Sequence, residues 1–77
     1  MKKSYLFWYK AEQTAPTEYL YVIAFTLKQA KYFWFNYLKN TLGYAWDYDL
    51  NPVDIIEEKD FVKKHDAGEI LGQYAVI

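Results

Sequence analysis

The chain has 77 residues, of which 53% are hydrophobic and 22% aromatic, and it contains no cysteine. This length and apolar content predict one compact domain over residues 1–77 and exclude a disordered chain. The absence of cysteine excludes disulfides, thiolate catalysis and cysteine-ligated zinc, and makes a cytoplasmic location the default expectation. No apolar run is long enough to span a membrane, so we expect no membrane partner. The run from Tyr5 to Tyr9 is interrupted by Lys10 and is too short for a signal peptide, so we expect none.

The formal net charge of −1 hides an uneven distribution of charge along the chain. Up to Ala45 there are six lysines and two glutamates, and after it eight acidic residues and three lysines. The two parts therefore attract each other, or the domain has one acidic face. All nine basic residues are lysine. Lysine lacks the planar fork with which arginine reads bases and clamps phosphates, so sequence-specific DNA recognition is disfavoured.

Two strands joined by a loop are predicted at the start of the chain. Residues 4–10 are dense in aromatic side chains, which favours a strand. Residues 11–17 have no periodicity and contain Pro16, which is typical of a loop. Residues 18–24 form the second predicted strand, and both of its faces are apolar or aromatic.

A helix is predicted from Leu27 to about Leu42. Thr26 and Gln29 have the spacing of a capping box, in which each side chain bonds a backbone amide at the helix start. Gly43 then supplies a residue that adopts the left-handed conformation at low cost, which ends the helix. On a helical wheel the apolar stripe contains Leu27, Ala30, Phe33, Trp34, Tyr37, Leu38, Thr41 and Leu42.

The second half of the chain is predicted to contain shorter elements. Residues 44–49 alternate aromatic and small or acidic side chains, which indicates a third strand. A turn at Asn51-Pro52 precedes residues 53–56, a short fourth strand or an extended edge. Residues 57–65 have acids early and bases late, the order that a helix dipole favours, so a short second helix is expected. Residues 74–77 close the chain as a terminal strand or lie on the core.

The predicted fold is therefore α+β. A small antiparallel sheet of order β-β-α-β, with a possible fourth strand, packs on one long helix, and a short second helix follows. In the predicted core the strand residues Leu20, Val22 and Ala24 pack on the helix residues Leu27, Ala30, Trp34 and Leu38.

One long helix covers only one face of this sheet, and the other face is aromatic. From the second strand it presents Tyr19, Tyr21 and Ile23, and from the first either Tyr5, Phe7 and Tyr9 or their alternates Leu6 and Trp8. Rigid rings are enriched at interfaces. We therefore predict a non-enzymatic module that binds a protein, either a second copy or a host factor, through Tyr19, Tyr21, Ile23, Tyr5 and Tyr9. In the alternative, the second helix and a C-terminal tail bury this face internally with Ile70, Leu71, Tyr74, Val76 and Ile77.

The alternative function is nucleic-acid binding through the outer face of the helix. Lys28, Tyr32 and Lys39 lie there, with Lys31 and Phe35 beside them. Lysines track phosphates and interleaved rings stack on bases. Lysine stems that simply cover neighbouring apolar surface give the same pattern.

The acidic stretch 47–58 admits three interpretations. Asp47, Asp49, Asn51 and Glu58 match positions 1, 3, 5 and 12 of a calcium loop, but Pro52 stands where glycine is needed, so we predict no metal site. Carboxylates that mimic a nucleic-acid backbone would instead meet a basic partner; they are Asp47, Asp49, Asp54, Glu57, Glu58 and Asp60. A solvated acidic surface that keeps the protein in solution is the third.

Groups for nucleophilic catalysis are scarce. The chain has one serine, Ser4, and one histidine, His65, which lies beside Asp66. A histidine at a helix C-terminus is favoured by the helix dipole, and this explains His65 without chemistry. We predict no enzyme activity and no cofactor.

The run Val22-Ile23-Ala24-Phe25-Thr26 leads into Gln29-Ala30. This strand-to-capped-helix pattern resembles small proteins of bacteriophages and prophages from low-GC Gram-positive bacteria. The resemblance covers about the first half of the chain. It implies a small accessory or host-interacting protein and assigns no site residues.

Overall fold

The fold is a small antiparallel sheet with one long helix packed on it. The structure, a computed structural model, describes residues 1–43, 45–57 and 62–72. Its elements in chain order are β1 (Lys3–Lys10), β2 (Glu18–Ala24), α1 (Leu27–Asn40), β3 (Asp47–Tyr48), β4 (Asp54–Ile56) and β5 (Ile70–Gly72). The predicted α+β class is confirmed.

β1 and β2 form an antiparallel hairpin at the centre of the sheet. Their register runs from Lys3 opposite Ala24 to Tyr9 opposite Glu18. Aromatic and β-branched side chains favour this pairing because they pack well on a pleated surface. Residues 11–17 connect the two strands, as predicted.

Three short strands extend the hairpin on both sides. β3 and β4 both pair antiparallel with β1, and β5 pairs antiparallel with β2. β1 and β2 are therefore interior strands, and the segment that carries β3 and β4 forms one edge of the sheet.

Side-chain hydrogen bonds start α1 where the sequence predicts. Thr26 is the N-cap, and its hydroxyl oxygen accepts a hydrogen bond from the Gln29 amide (3.1 Å). The Gln29 side-chain oxygen accepts in return from the Phe25 amide (2.8 Å). These reciprocal bonds satisfy two amides near the helix start. Thr41 is the C-cap, and Gly43 follows with a φ of 64°, so the helix ends close to the predicted position.

The main core lies between α1 and the hairpin. The Trp34 ring is completely buried, and it stacks on Phe7 with ring centroids 5.0 Å apart and on Tyr37 with centroids 6.0 Å apart. Its Nε1 donates a hydrogen bond to the Asp49 carbonyl (2.8 Å). One side chain thus joins α1, β1 and the loop after β3. The buried residues of this core are Tyr5, Phe7, Val22, Ala24, Ala30, Trp34, Leu38 and Ala45.

The predicted core contacts are found with one correction. Leu20 is partly buried against the main core, and the other strand and helix residues predicted for it are buried there, except Leu27. Leu27 is 43% exposed. It is the first residue of α1 and follows the end of β2, so it lies at the margin of the helix–sheet interface.

The strand predicted over residues 44–49 is confined to Asp47–Tyr48 among the described residues. It ends there because the Asp49 carboxylate accepts a hydrogen bond from the Asn51 amide (2.9 Å), which closes a local turn. Pairing with β1 resumes in β4, within the predicted residues 53–56.

A smaller cluster covers one end of the sheet face opposite α1. Ile23 is completely buried there with Val62, and Leu71 packs against both. The Gly68 amide donates to the Ile23 carbonyl (2.8 Å), and the Ile23 amide donates to the Glu69 carbonyl (3.0 Å). These bonds hold the C-terminal stretch against β2.

Two predicted elements fall on undescribed residues. The predicted second helix includes residues 58–61, and the predicted terminal strand is 74–77; both sets lie outside the described residues. β5 was not predicted, because three residues that end in glycine give no alternation to detect.

Trp34→Ala is expected to lower the free energy of unfolding by about 3–5 kcal/mol, because it removes a fully buried ring and leaves a cavity. Urea denaturation followed by circular dichroism measures this. Tyr32→Ala, at a side chain that is 64% exposed, should change stability by less than about 0.5 kcal/mol. Similar losses for the two variants would contradict the assignment of the core. Trp34→Phe provides a milder second variant if Trp34→Ala does not fold.

Thr26→Ala is expected to cost about 1 kcal/mol of stability, because the Gln29 amide loses its side-chain acceptor. Thr26→Ser, which keeps the hydroxyl, should retain most of it. Thr14→Ala, in the exposed loop of the hairpin, is the matched control and should be nearly neutral. The same denaturation experiment distinguishes these three outcomes.

Candidate functional site

The register of the central hairpin decides which side chains of the sheet share a face. Side chains alternate along a strand, and directly opposed residues point to the same side. Tyr5 opposes Val22 and Phe7 opposes Leu20, and all four pack in the main core. Tyr5, Phe7 and Tyr9 therefore face α1.

The five residues predicted to bind protein are thus divided between two faces. Tyr5 is 3% exposed, and Tyr9 lies on the helix side with its ring centroid 6.2 Å from that of Trp34. Ile23 is on the opposite face but is completely buried in the smaller cluster. The prediction that Tyr5, Tyr9 and Ile23 line one exposed surface is therefore corrected. The aromatic sequence of β1 fits either face, and only its register with β2 decides between them.

The face of the hairpin opposite α1 contains the alternates from β1. Trp8 opposes Tyr19 and Leu6 opposes Tyr21, and all four side chains are half-buried. The predicted cover by C-terminal residues is found at the Ile23 end of this face, while residues 73–77 lie outside the described residues. The binding role of Tyr19 and Tyr21 stays a prediction.

The residues predicted to contact nucleic acid lie together on the outward side of α1. Lys28, Tyr32 and Lys39 are all exposed, and they fall within an arc of about 40° around the helix axis. Lys31 lies beside them, half-buried, and α1 contains no acidic residue. Within the described ranges these lysines form no salt bridge. We call Lys28, Lys31, Tyr32 and Lys39 the basic helix face.

A second exposed surface runs along the edge of the sheet beside β1. The sequence indicated its acidic residues but not its exposed apolar side chains. Four large apolar side chains there are strongly exposed: Trp46 (56%), Leu50 (41%), Val53 (52%) and Ile55 (45%). Three aspartates lie among them: Asp47, Asp49 and Asp54. In the part of the chain that the structure describes, none of the three forms a salt bridge. We call these seven residues the acidic edge.

The aspartates of the acidic edge also bond the backbone. Each Oδ1 accepts a hydrogen bond from a backbone amide one or two residues later. The Tyr48 amide donates to Asp47 (2.9 Å), the Asn51 amide to Asp49 (2.9 Å) and the Ile55 amide to Asp54 (2.8 Å). Because these amides already donate to carboxylates, the edge offers fewer donors to an added strand.

The calcium-loop spacing does not gather metal ligands in the described residues. They contain no group of three or more His, Cys, Asp or Glu side chains that could hold a metal ion. Glu57 instead pairs with Lys3, with Nζ and Oε1 3.0 Å apart. Glu58 and Asp60, which the calcium and mimicry interpretations also invoked, lie outside the described residues.

The two residues considered for catalysis, His65 and Ser4, lie in different environments. His65 Nδ1 lies 3.4 Å from Oε2 of Glu69. Ser4 is completely buried in β1, and its Oγ has no hydrogen-bond partner among the described residues.

Two groups of the structure have raised pKa values. Burial raises the pKa of the Tyr9 hydroxyl, and the charges of Glu18 and Tyr37 add to this. A hydrogen bond to Glu57 and its charge raise the pKa of the exposed Lys3 ammonium. The folded state therefore favours the protonated form of both groups.

The unfolded chain loses the Lys3 and Tyr9 protons at a lower pH than the folded chain does. The free energy of unfolding should therefore fall as the pH rises above about 10. Tyr9→Phe removes one contribution and should make the decline shallower. Tyr32→Phe is the matched exposed control and should leave the slope unchanged. Chemical denaturation at a series of alkaline pH values measures the slopes, and equal slopes for the wild type and Tyr9→Phe would contradict a raised pKa of the Tyr9 hydroxyl.

Comparison of the chain with protein-family models, curated proteins and solved structures found no match. In the described part of the chain, no helix has the length and apolar content needed to cross a membrane.

Proposed function

We propose that this chain is a small, non-enzymatic protein-interaction module that binds its partner through the acidic edge. The observation that supports this most is exposed apolar area: four large side chains within ten residues are each 41–56% exposed. Isolated exposed apolar residues are common on protein surfaces, whereas a contiguous set marks an interaction site.

The exposed side chains belong to one segment, and this segment follows one edge of the sheet. β3 and β4 lie along β1 from Lys10 to Ser4. At roughly 3.3 Å per residue this stretch of β1 is about 20 Å long. Val53 lies in a bend directly before β4, and its amide donates to the Leu6 carbonyl (2.8 Å). Val53 and Ile55 therefore both lie beside β1 on this edge. A partner can therefore contact several apolar side chains at once.

The charges of the acidic edge indicate the chemistry of the partner. Asp47, Asp49 and Asp54 make no salt bridge in the described ranges, so their charges are available to basic groups. Their hydrogen bonds to backbone amides oppose the addition of a strand. The partner surface therefore combines lysine or arginine with apolar groups and meets side chains rather than the sheet backbone.

The acidic edge is favoured over the outer face of the hairpin as the binding surface. The side chains of that face, Leu6, Trp8, Tyr19 and Tyr21, are only half-exposed, so less apolar area remains to be buried there. The proposal retains the cytoplasmic location and a host protein as a possible class of partner. The resemblance to small phage and prophage proteins adds no residue to it.

A synthetic helix-forming peptide of leucine and lysine is a suitable probe for this surface. Fluorescence anisotropy of the labelled peptide at low salt should show binding to the wild type. The double variant Val53→Ser/Ile55→Thr should weaken binding by about fivefold or more, because it removes exposed apolar area from the acidic edge.

Phe25→Ser is the matched control, since Phe25 is also 52% exposed but lies outside the acidic edge. It should leave the affinity unchanged, and circular dichroism verifies that both variants fold. No binding by the wild type at low salt, or equal weakening by Phe25→Ser, would overturn the proposal.

A further inference from the structure

We propose that a second copy of this chain is a partner of the acidic edge, and that the basic helix face of one copy docks on the acidic edge of the next. This inference rests on the proposed function, because it names a partner for the same surface. The chain thereby presents both halves of one interface.

The charges of the two surfaces are complementary. The basic helix face contributes three lysines, and α1 contains no acid. The acidic edge contributes three aspartates and no lysine of its own, and a neighbouring cation, Lys10 of β1, lies with its Nζ 5.6 Å from the centre of the Trp46 ring. Within the described residues none of these six groups forms a salt bridge. Both surfaces therefore retain charge of opposite sign for contact with another molecule.

The two surfaces also match in length. Lys28 and Lys39 are eleven residues apart, which is about 16 Å along a helix. Asp47 pairs with Lys10 and Asp54 with Leu6, so the two aspartates are about 13 Å apart along β1. Flexible lysine side chains accommodate a difference of this size.

Apolar groups lie between the charges on both sides of the proposed contact. Tyr32 is 64% exposed and lies between Lys28 and Lys39 along α1. Leu50 and Val53 are exposed between Asp47 and Asp54. Burial of these groups would add a hydrophobic contribution to the charge pairing.

The contact joins two molecules because the basic helix face points away from the sheet of its own chain. α1 buries Ala30, Trp34 and Leu38 against the hairpin. On a helical wheel Lys28 and Lys39 lie roughly 130° from the centre of these residues, whereas Lys31 lies beside Leu38. Within the described residues, no lysine of the basic helix face forms a salt bridge with an aspartate of the acidic edge of its own molecule.

A second copy fits the basic helix face better than a nucleic acid does. The chain has a net charge of −1 and contains no arginine. A polyanion would be attracted by the lysines of α1 and repelled by the unpaired aspartates of the same small domain. A second copy is attracted by both surfaces.

Light scattering with size-exclusion chromatography of the full chain tests the contact. At low salt the mass should rise with protein concentration above that of the 9.3 kDa monomer. Because the two surfaces differ, association either closes as a reciprocal pair or continues head to tail, and both forms support the proposal. Raising the salt concentration should shift the protein towards the monomer.

Charge reversal identifies the surfaces involved. Lys28→Glu/Lys39→Glu and Asp47→Lys/Asp54→Lys should each raise the dissociation constant for self-association at least tenfold. A mixture of the two variants should associate again, because the reversed helix face of one complements the reversed edge of the other. Recovery in the mixture also shows that both variants are folded.

Asp47→Asn/Asp54→Asn is the second variant if the reversed edge does not fold, since asparagine keeps an oxygen that can accept the amide hydrogen bonds. Tyr32→Ser should weaken association without affecting the core. Wild type that stays monomeric at low salt, or association that no surface variant changes, would overturn the inference. Low-salt binding of a labelled single-stranded oligonucleotide that requires Lys28 and Lys39, without self-association, would also overturn it.

The leucine–lysine peptide separates the two proposals. A monomeric wild type that still binds the peptide through Val53 and Ile55 contradicts self-association and leaves the proposed function intact. Loss of both activities contradicts both.

Discussion

The Trp34 indole is the group on which the arrangement of the elements depends most. Its ring stacks on Phe7 of β1 and on Tyr37 of the same helix, and its Nε1 donates to the carbonyl of Asp49. Ring pairs of this kind contribute about 0.5–1.5 kcal/mol beyond the burial of their area. The hydrogen bond satisfies a buried donor that would otherwise be costly. A domain without disulfides is thus joined at one point across helix, strand and loop.

This single side chain also fixes the two exposed surfaces relative to each other. Because Trp34 points into the sheet, the opposite side of α1, with Lys28 and Tyr32, faces solvent. Because its Nε1 binds the Asp49 carbonyl, the loop between β3 and β4 is held beside the core, and Leu50 remains exposed. The basic helix face and the acidic edge are therefore consequences of core packing.

The elements predicted correctly are those that depend on local interactions. The start of α1 follows from hydrogen bonds within four residues, between Thr26, Gln29 and Phe25, and such bonds leave a signature in the sequence. The hairpin follows from two apolar runs around a loop. The orientation of β1 does not follow from local interactions, because Tyr5 and Trp8 both fit either face of the sheet. The register of β1 with β2 determines which of them faces α1.

The candidate site depended on contacts that are distant in sequence. Ile55 is exposed because β4 lies outside β1. The sequence predicted a short strand or an extended edge over residues 53–56, but no local pattern indicated that this segment pairs with β1. In the sequence, the function of this stretch was interpreted only from its acidic residues. The apolar residues among them became informative only when the topology placed them on an edge.

The aspartates of the acidic edge have two physical effects that support each other. Exposed salt bridges contribute only about 0–1 kcal/mol, so leaving Asp47, Asp49 and Asp54 unpaired costs the fold little. By accepting hydrogen bonds from nearby amides, they also reduce the donors that an exposed strand would offer to any passing sheet. An edge that carries Val53 and Ile55 would otherwise favour indiscriminate strand addition. The carboxylates thus restrict the edge to side-chain contacts and select basic surfaces among them.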